Sequence, residues 1–110
     1  MVDAAVVELA DRIRALLGGT DEIEERAMFG SRAFLSEGRI LVGARKGGAL
    51  LVRVGGERSA ALLTEPGVSR AVMGARTMSE NWLDVSPSVI ADDTALMGWI
   101  DIAREDAESV

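Results

Sequence analysis

Residues 36–54, SEGRILVGARKGGALLVRV, hold two mainly apolar runs, RILVGA and ALLVRV, each entered through a glycine-bearing turn. SEG at 36–38 and RKGG at 45–48 have the length and glycine content of tight hairpin connections. The stretch therefore predicts consecutive antiparallel strands at the centre of a meander. Gly55 and Gly56 end it.

Just upstream lies ERAMFGSRAF, residues 25–34. Here Ile23, Ala27 and Phe29 fall on one parity and Glu24, Arg26 and Met28 on the other, which predicts a strand over about 23–29. Gly30 and Ser31 break it, and RAFL forms the next strand. Phe29 is expected in the core, and Gly30 at a positive φ that glycine adopts without steric cost. A lone MFGS is no phosphate loop, because it lacks the repeated glycines and the Lys-Ser/Thr pair.

Further out the period changes to that of helices. Val6, Leu9, Ala10, Ile13, Leu16 and Leu17 align on one helical face, with Asp3 as N-cap and Gly18-Gly19 as stop. ERSAALLTEPG predicts a two-turn helix terminated by Pro66 and Gly67. VSRAVMG and TMSENWLDV predict two more strands joined at Gly74 to Arg76. Leu96, Trp99, Ile100 and Ala103 mark a last helix starting at Ser86, Asp92 or Asp93. Gly98 within it suggests a close approach of helix to sheet. Residues from about 104 to 110 form an acidic tail expected to fray.

The sum is a single α+β domain over residues 1–110: a two-layer sandwich of an antiparallel sheet with N-terminal and C-terminal helices and a short middle helix. At 110 residues with 48% hydrophobic content, one core and a radius of gyration of roughly 13 Å are expected.

Composition bounds the chemistry. There is no cysteine and no histidine, which removes thiol nucleophiles, imidazole bases and most zinc, haem or iron-sulfur ligation. No catalytic residue, cofactor or metal site is expected. Glu80 and Asp84, four residues apart on a predicted strand, are the remote exception as a carboxylate pair. With no long apolar run and no basic leader, the chain is expected to be cytoplasmic and not to engage membranes.

The net charge of −6 is unevenly spread: nine basic and three acidic residues lie between Arg26 and Arg76, fifteen acidic and three basic at the two ends. Acidic helices packed beside a basic sheet account for that pattern. A polyanion surface is the alternative, with Arg39, Arg45, Lys46 and Arg53 contacting nucleic-acid phosphates. RKGG could also present backbone amides to an anion.

Strict alternation places Ile40, Val42 and Ala44 opposite Arg39, Leu41 and Gly43, and Leu50, Val52 and Val54 opposite Leu51 and Arg53. If helices cover the first set, Arg26, Met28, Leu41, Leu51 and Arg53 form a contact surface for a protein partner or a second copy.

The ordered segments AMFGSRAFLSEGRILVGA, LLVRVG, ALLTEPGV, GARTMSENWLDVSP and ALMGWI resemble the TfoX N-terminal domain family, which includes the competence regulators TfoX and Sxy. By that resemblance Phe29 and Gly30 belong to its Met-Phe-Gly strand end, Glu37-Gly38 to its hairpin turn, Gly74 to its later turn and Trp82 to its aromatic strand position. Ser31 and Asn81 depart from the usual pattern, where glycine is common. The resemblance implies a compact α+β domain and a non-enzymatic regulatory or interaction role. The competence regulators continue into a second domain, so a stand-alone single-domain member is expected here.

Overall fold

A computed structural model describes residues 3–18, 23–28 and 30–108. Its elements are α1 (Ala4–Leu17), β1 (Ile23–Met28), β2 (Ser31–Ser36), β3 (Arg39–Ala44), β4 (Leu50–Arg53), α2 (Gly56–Leu62), β5 (Val68–Arg70), β6 (Val72–Met73), β7 (Arg76–Thr77), β8 (Trp82–Val85) and α3 (Asp93–Glu108).

Asp3 opens α1 by accepting the Ala5 amide at 2.9 Å, and Gly18 closes it at φ 70°. Val6, Leu9, Ala10, Ile13 and Leu17 are buried along the predicted stripe. Gly19 and Phe29 lie outside the described residues. Gly30 has the expected positive φ, 80°.

The strands β1 to β4 form the predicted meander. Glu37 and Gly38 both take positive φ, 51° and 79°, as a two-residue turn matching the twist of its strands requires. The chain then crosses through α2 to the far edge, and β8 inserts between β4 and β5, giving the order β1-β2-β3-β4-β8-β5 with every pair antiparallel.

The helices α1 and α3 cover one face. Phe34, Val42, Leu50, Val52, Leu83 and Val85 of the sheet meet Ile13, Leu96 and Ile100, all at most 1% exposed. Each such aliphatic side chain contributes about 1.5–3 kcal/mol by leaving water. The radius of gyration is 12.8 Å, as expected for one domain of this length.

Four expectations are corrected. First, β2 and β3 are bulged: Phe34 pairs with Val42 and Leu35 with Ile40, so Leu41 is an extra residue. The extra residue breaks the two-residue period. Leu41 joins Val42 and Ala44 in the helix-side core, and Ile40 turns to the opposite face. Arg39, paired with Ser36, shifts to the parity of Phe34.

Second, the two predicted strands at 68–85 are four. The segments β5 and β8 belong to the main sheet, whereas β6 and β7 pair only with each other. Fully buried Ala71 is the pivot, donating to the Trp82 carbonyl at 3.0 Å and accepting from the Met78 amide at 2.8 Å.

Third, residues 104–108 continue α3 instead of fraying. Asp106 accepts the Gly55 amide at 2.8 Å and the Arg58 guanidinium at 3.1 Å, an instance of an acidic end pairing with the basic centre.

Fourth, Gly98 makes no close approach, since an added Cβ would meet nothing within 4 Å and the residue is exposed. Gly98→Ala is therefore expected to raise unfolding stability by up to about 1 kcal/mol, read from urea denaturation. Ser59→Ala in α2 is expected to do the same by about 1 kcal/mol, because the Ser59 hydroxyl is buried without a hydrogen-bond partner among the described residues.

Among the described residues no helix is long and apolar enough to cross a membrane.

Candidate functional site

The RKGG turn does hold an anion, supplied by the chain itself. Gly47 and Gly48 take φ 76° and 88°, and the Gly47 amide donates to the second carboxylate oxygen of Asp3 at 3.0 Å. One carboxylate thus caps α1 and tethers the β3–β4 connection. The Gly47 amide, then the Ala5 amide, hold its carboxyl below the ordinary value.

Because the folded pKa is depressed, this stabilisation is complete above the unfolded value of about 3.9 and disappears as pH falls through the lower folded value. Asp3→Asn still caps the helix but does not titrate. The variant is expected to melt below the wild type at neutral pH, and the gap to narrow below about pH 4.

Arg45 turns to the other face of the sheet. Its Nη1 donates to both carboxylate oxygens of Asp84 at 2.8 Å, and its Nη2 to the Val72 carbonyl at 2.6 Å. The pair is mostly buried, with side chains 19% and 25% exposed. It fastens the β6–β7 hairpin over the sheet face that the helices leave free.

Between hairpin and sheet lies an apolar hollow of about 220 Å³. Ala33, Ile40, Gly43 and Leu51 form its floor, with Met73, Met78 and Trp82 as walls. The register explains the floor: Gly43 stands opposite both Ala33 and Leu51. The same Met73, Met78 and Trp82 border a second, more open hollow of about 390 Å³ that reaches Arg76, Thr77 and Ser79.

Of the residues expected at a contact surface, Leu51 lies on this face but is buried beside the hollow, at 8% exposure. Arg53 stands opposite Trp82 and is half-buried, and its side chain has no hydrogen bond or ion pair among the described residues. Arg26 is on the same face, exposed and paired with Glu24 at 2.6 Å. The backbone of Met28 ends β1, and its side chain lies outside the described residues. Leu41 is in the helix-side core. Ile40, Met73 and Met78 were not expected at the site; only the bulge and the hairpin bring them there.

Two of the residues expected to meet nucleic-acid phosphates stand apart. Arg39 and Arg45 flank opposite ends of β3, up to about 20 Å apart by strand rise, and Arg45 is engaged by Asp84 and Val72. Glu80 and Asp84 also separate: the Glu80 carboxylate lies beside Gly56, whereas Asp84 is held by Arg45. Among the described residues no acidic cluster suited to a metal ion occurs.

This arrangement defines a two-layer α+β domain whose free sheet face is roofed by a small hairpin. The family model of the TfoX N-terminal domain matches residues 15–107, and the chain belongs to that family. Comparisons with curated proteins and with solved structures gave no match.

Proposed function

We propose that this domain is a non-enzymatic, cytoplasmic regulatory module that docks a protein partner, or a second copy of itself, on the hairpin side of its sheet. The carrying observation is where apolar side chains stay exposed. Val72 and Met73, 44% and 43% exposed, are two of the three large hydrophobic residues left exposed among the described residues, and both are on β6. Such exposure in contiguous groups marks contact surfaces, and methionine adapts its shape to a partner.

Arg53 and Arg76, whose side chains have no ion pair or hydrogen bond among the described residues, supply a polar rim of the kind found around interface cores. Family membership and the lack of cysteine and histidine also favour binding over catalysis.

The test compares immobilised wild type, Val72→Ser/Met73→Ser, and Val7→Ser, which removes the third exposed hydrophobic on α1. Proteins retained by wild type and Val7→Ser but lost from the hairpin variant are the expected result. For a second copy, light scattering gives a dimer mass for wild type and Val7→Ser and a monomer mass for the hairpin variant. Identical capture and identical mass across all three overturn the reading.

A further inference from the structure

We propose that the hollow beneath the hairpin is a binding site for a small amphiphilic anion, with an aryl or short acyl body against Ile40, Leu51 and Trp82 and a carboxylate at Arg76. The inference goes beyond docking of a protein, because it concerns the underside of the hairpin and needs no second macromolecule.

Size supports the apolar half. A dry apolar cavity of roughly 150 Å³ holds benzene, and the hollow here measures about 220 Å³. Gly43 deepens its floor by lacking a side chain, and the two methionines are the flexible, polarizable wall that lets irregular apolar ligands pack. Small-molecule sites have this composition: an apolar lining with few polar groups that set orientation.

Charge supports the other half and places it. The two arginines that line this hollow, Arg45 and Arg32, are paired with Asp84 and Glu25, so no uncompensated charge faces the apolar body there. Across Met73, Met78 and Trp82, which border both hollows, the second one reaches Arg76, flanked by Thr77 and Ser79. Arg76 has no carboxylate partner among the described residues, and a guanidinium matches a carboxylate in two-point geometry.

The hairpin is fixed at its base and open at its tip. Arg45 holds the Val72 carbonyl, and Ala71 bonds to Met78 and Trp82. At the turn, Gly74 has nothing within 4 Å of where a Cβ would stand.

The experiment titrates the intact chain with 3-phenylpropionate, 3-phenylpropan-1-ol and acetate, following methyl and amide NMR signals. The anion and the alcohol are expected to shift Ile40, Leu51, Met73 and Met78 methyls saturably, leaving Ile13 and Ile100 unmoved; acetate leaves all of them unmoved. Arg76→Gln is expected to weaken 3-phenylpropionate roughly fivefold, the scale of a solvent-screened charge contact, without changing the alcohol.

Gly43→Ala is expected to weaken both. Its new Cβ would make ordinary contacts at 3.5–3.7 Å with the Arg32 carbonyl and Leu51, so an unchanged melting temperature shows that the fold is intact. The proposal is overturned by absence of saturable shifts up to about 20 mM, a concentration above the dissociation constant expected for about eleven ligand atoms. It is equally overturned if shifts centre elsewhere, or if Arg76→Gln weakens acid and alcohol alike.

Discussion

Gly67→Ala is expected to lower unfolding stability by about 2–5 kcal/mol, the largest effect of an added methyl among the described glycines. Two costs combine. Gly67 has φ 79°, where a residue with a Cβ loses roughly 1–2 kcal/mol. The added Cβ would also stand 2.5 Å from a Val89 methyl and 2.9 Å from the Ser86 hydroxyl, and overpacking of this kind costs about 1–3 kcal/mol.

The approach cannot relax freely, because the Gly67 carbonyl accepts the Ser86 amide at 2.8 Å and Val89 packs on the core. Gly74→Ala separates the two costs: its φ is 64° but its surroundings are open, so only the conformational part, about 1–2 kcal/mol, is expected. Urea midpoints of the two variants measure the difference. Equal losses would show that the contact with Val89 is not resisting the methyl.

Asp84→Ala is expected to cost about 1.5–3 kcal/mol, the range for hydrogen bonds to a charged group, and to loosen the hairpin selectively. It leaves the Arg45 guanidinium, 19% exposed, with only the Val72 carbonyl. Amides of 72–78 are then expected to exchange faster with solvent, while those of β2 and β3 keep their protection.

Replacing both partners by Arg45→Met and Asp84→Leu is expected to recover most of the stability, since an apolar pair of similar volume avoids the unpaired charge. Hairpin amides should nevertheless be fast, because Arg45→Met removes the bond to the Val72 carbonyl. Slow exchange in the double variant, which lacks Arg45, would mean that Ala71 positions the hairpin.

These residues also explain why the fold was easier to read than the site. Local rules suffice for α1: a stripe of buried residues, an aspartate cap and Gly18 all lie within one short segment. The same holds for Glu37-Gly38, whose turn demands positive φ. The site depends on partners far apart in the chain. Arg45 and Asp84 are separated by 39 residues and Asp3 and Gly47 by 44, and no spacing rule connects them.

The bulge shows the point most sharply. Alternation in RILVGA predicts Leu41 outward and Ile40 inward, and one unpaired residue against β2 reverses both. Hydrophobic pattern can state that a strand exists, but which face each residue takes depends on the register its neighbour imposes.

The amino-acid sequence by itself determined the α+β class, the meander, the outer helices and membership of the TfoX N-terminal family, because periodicity, capping and turn chemistry are encoded over a few neighbouring residues. Only the tertiary structure decided that Leu41 is core, that residues 72–77 fold back as a roof, and that the RKGG amides receive Asp3. Each of those outcomes is a competition between distant groups for the same hydrogen bonds and the same buried surface, settled when the sheet assembles.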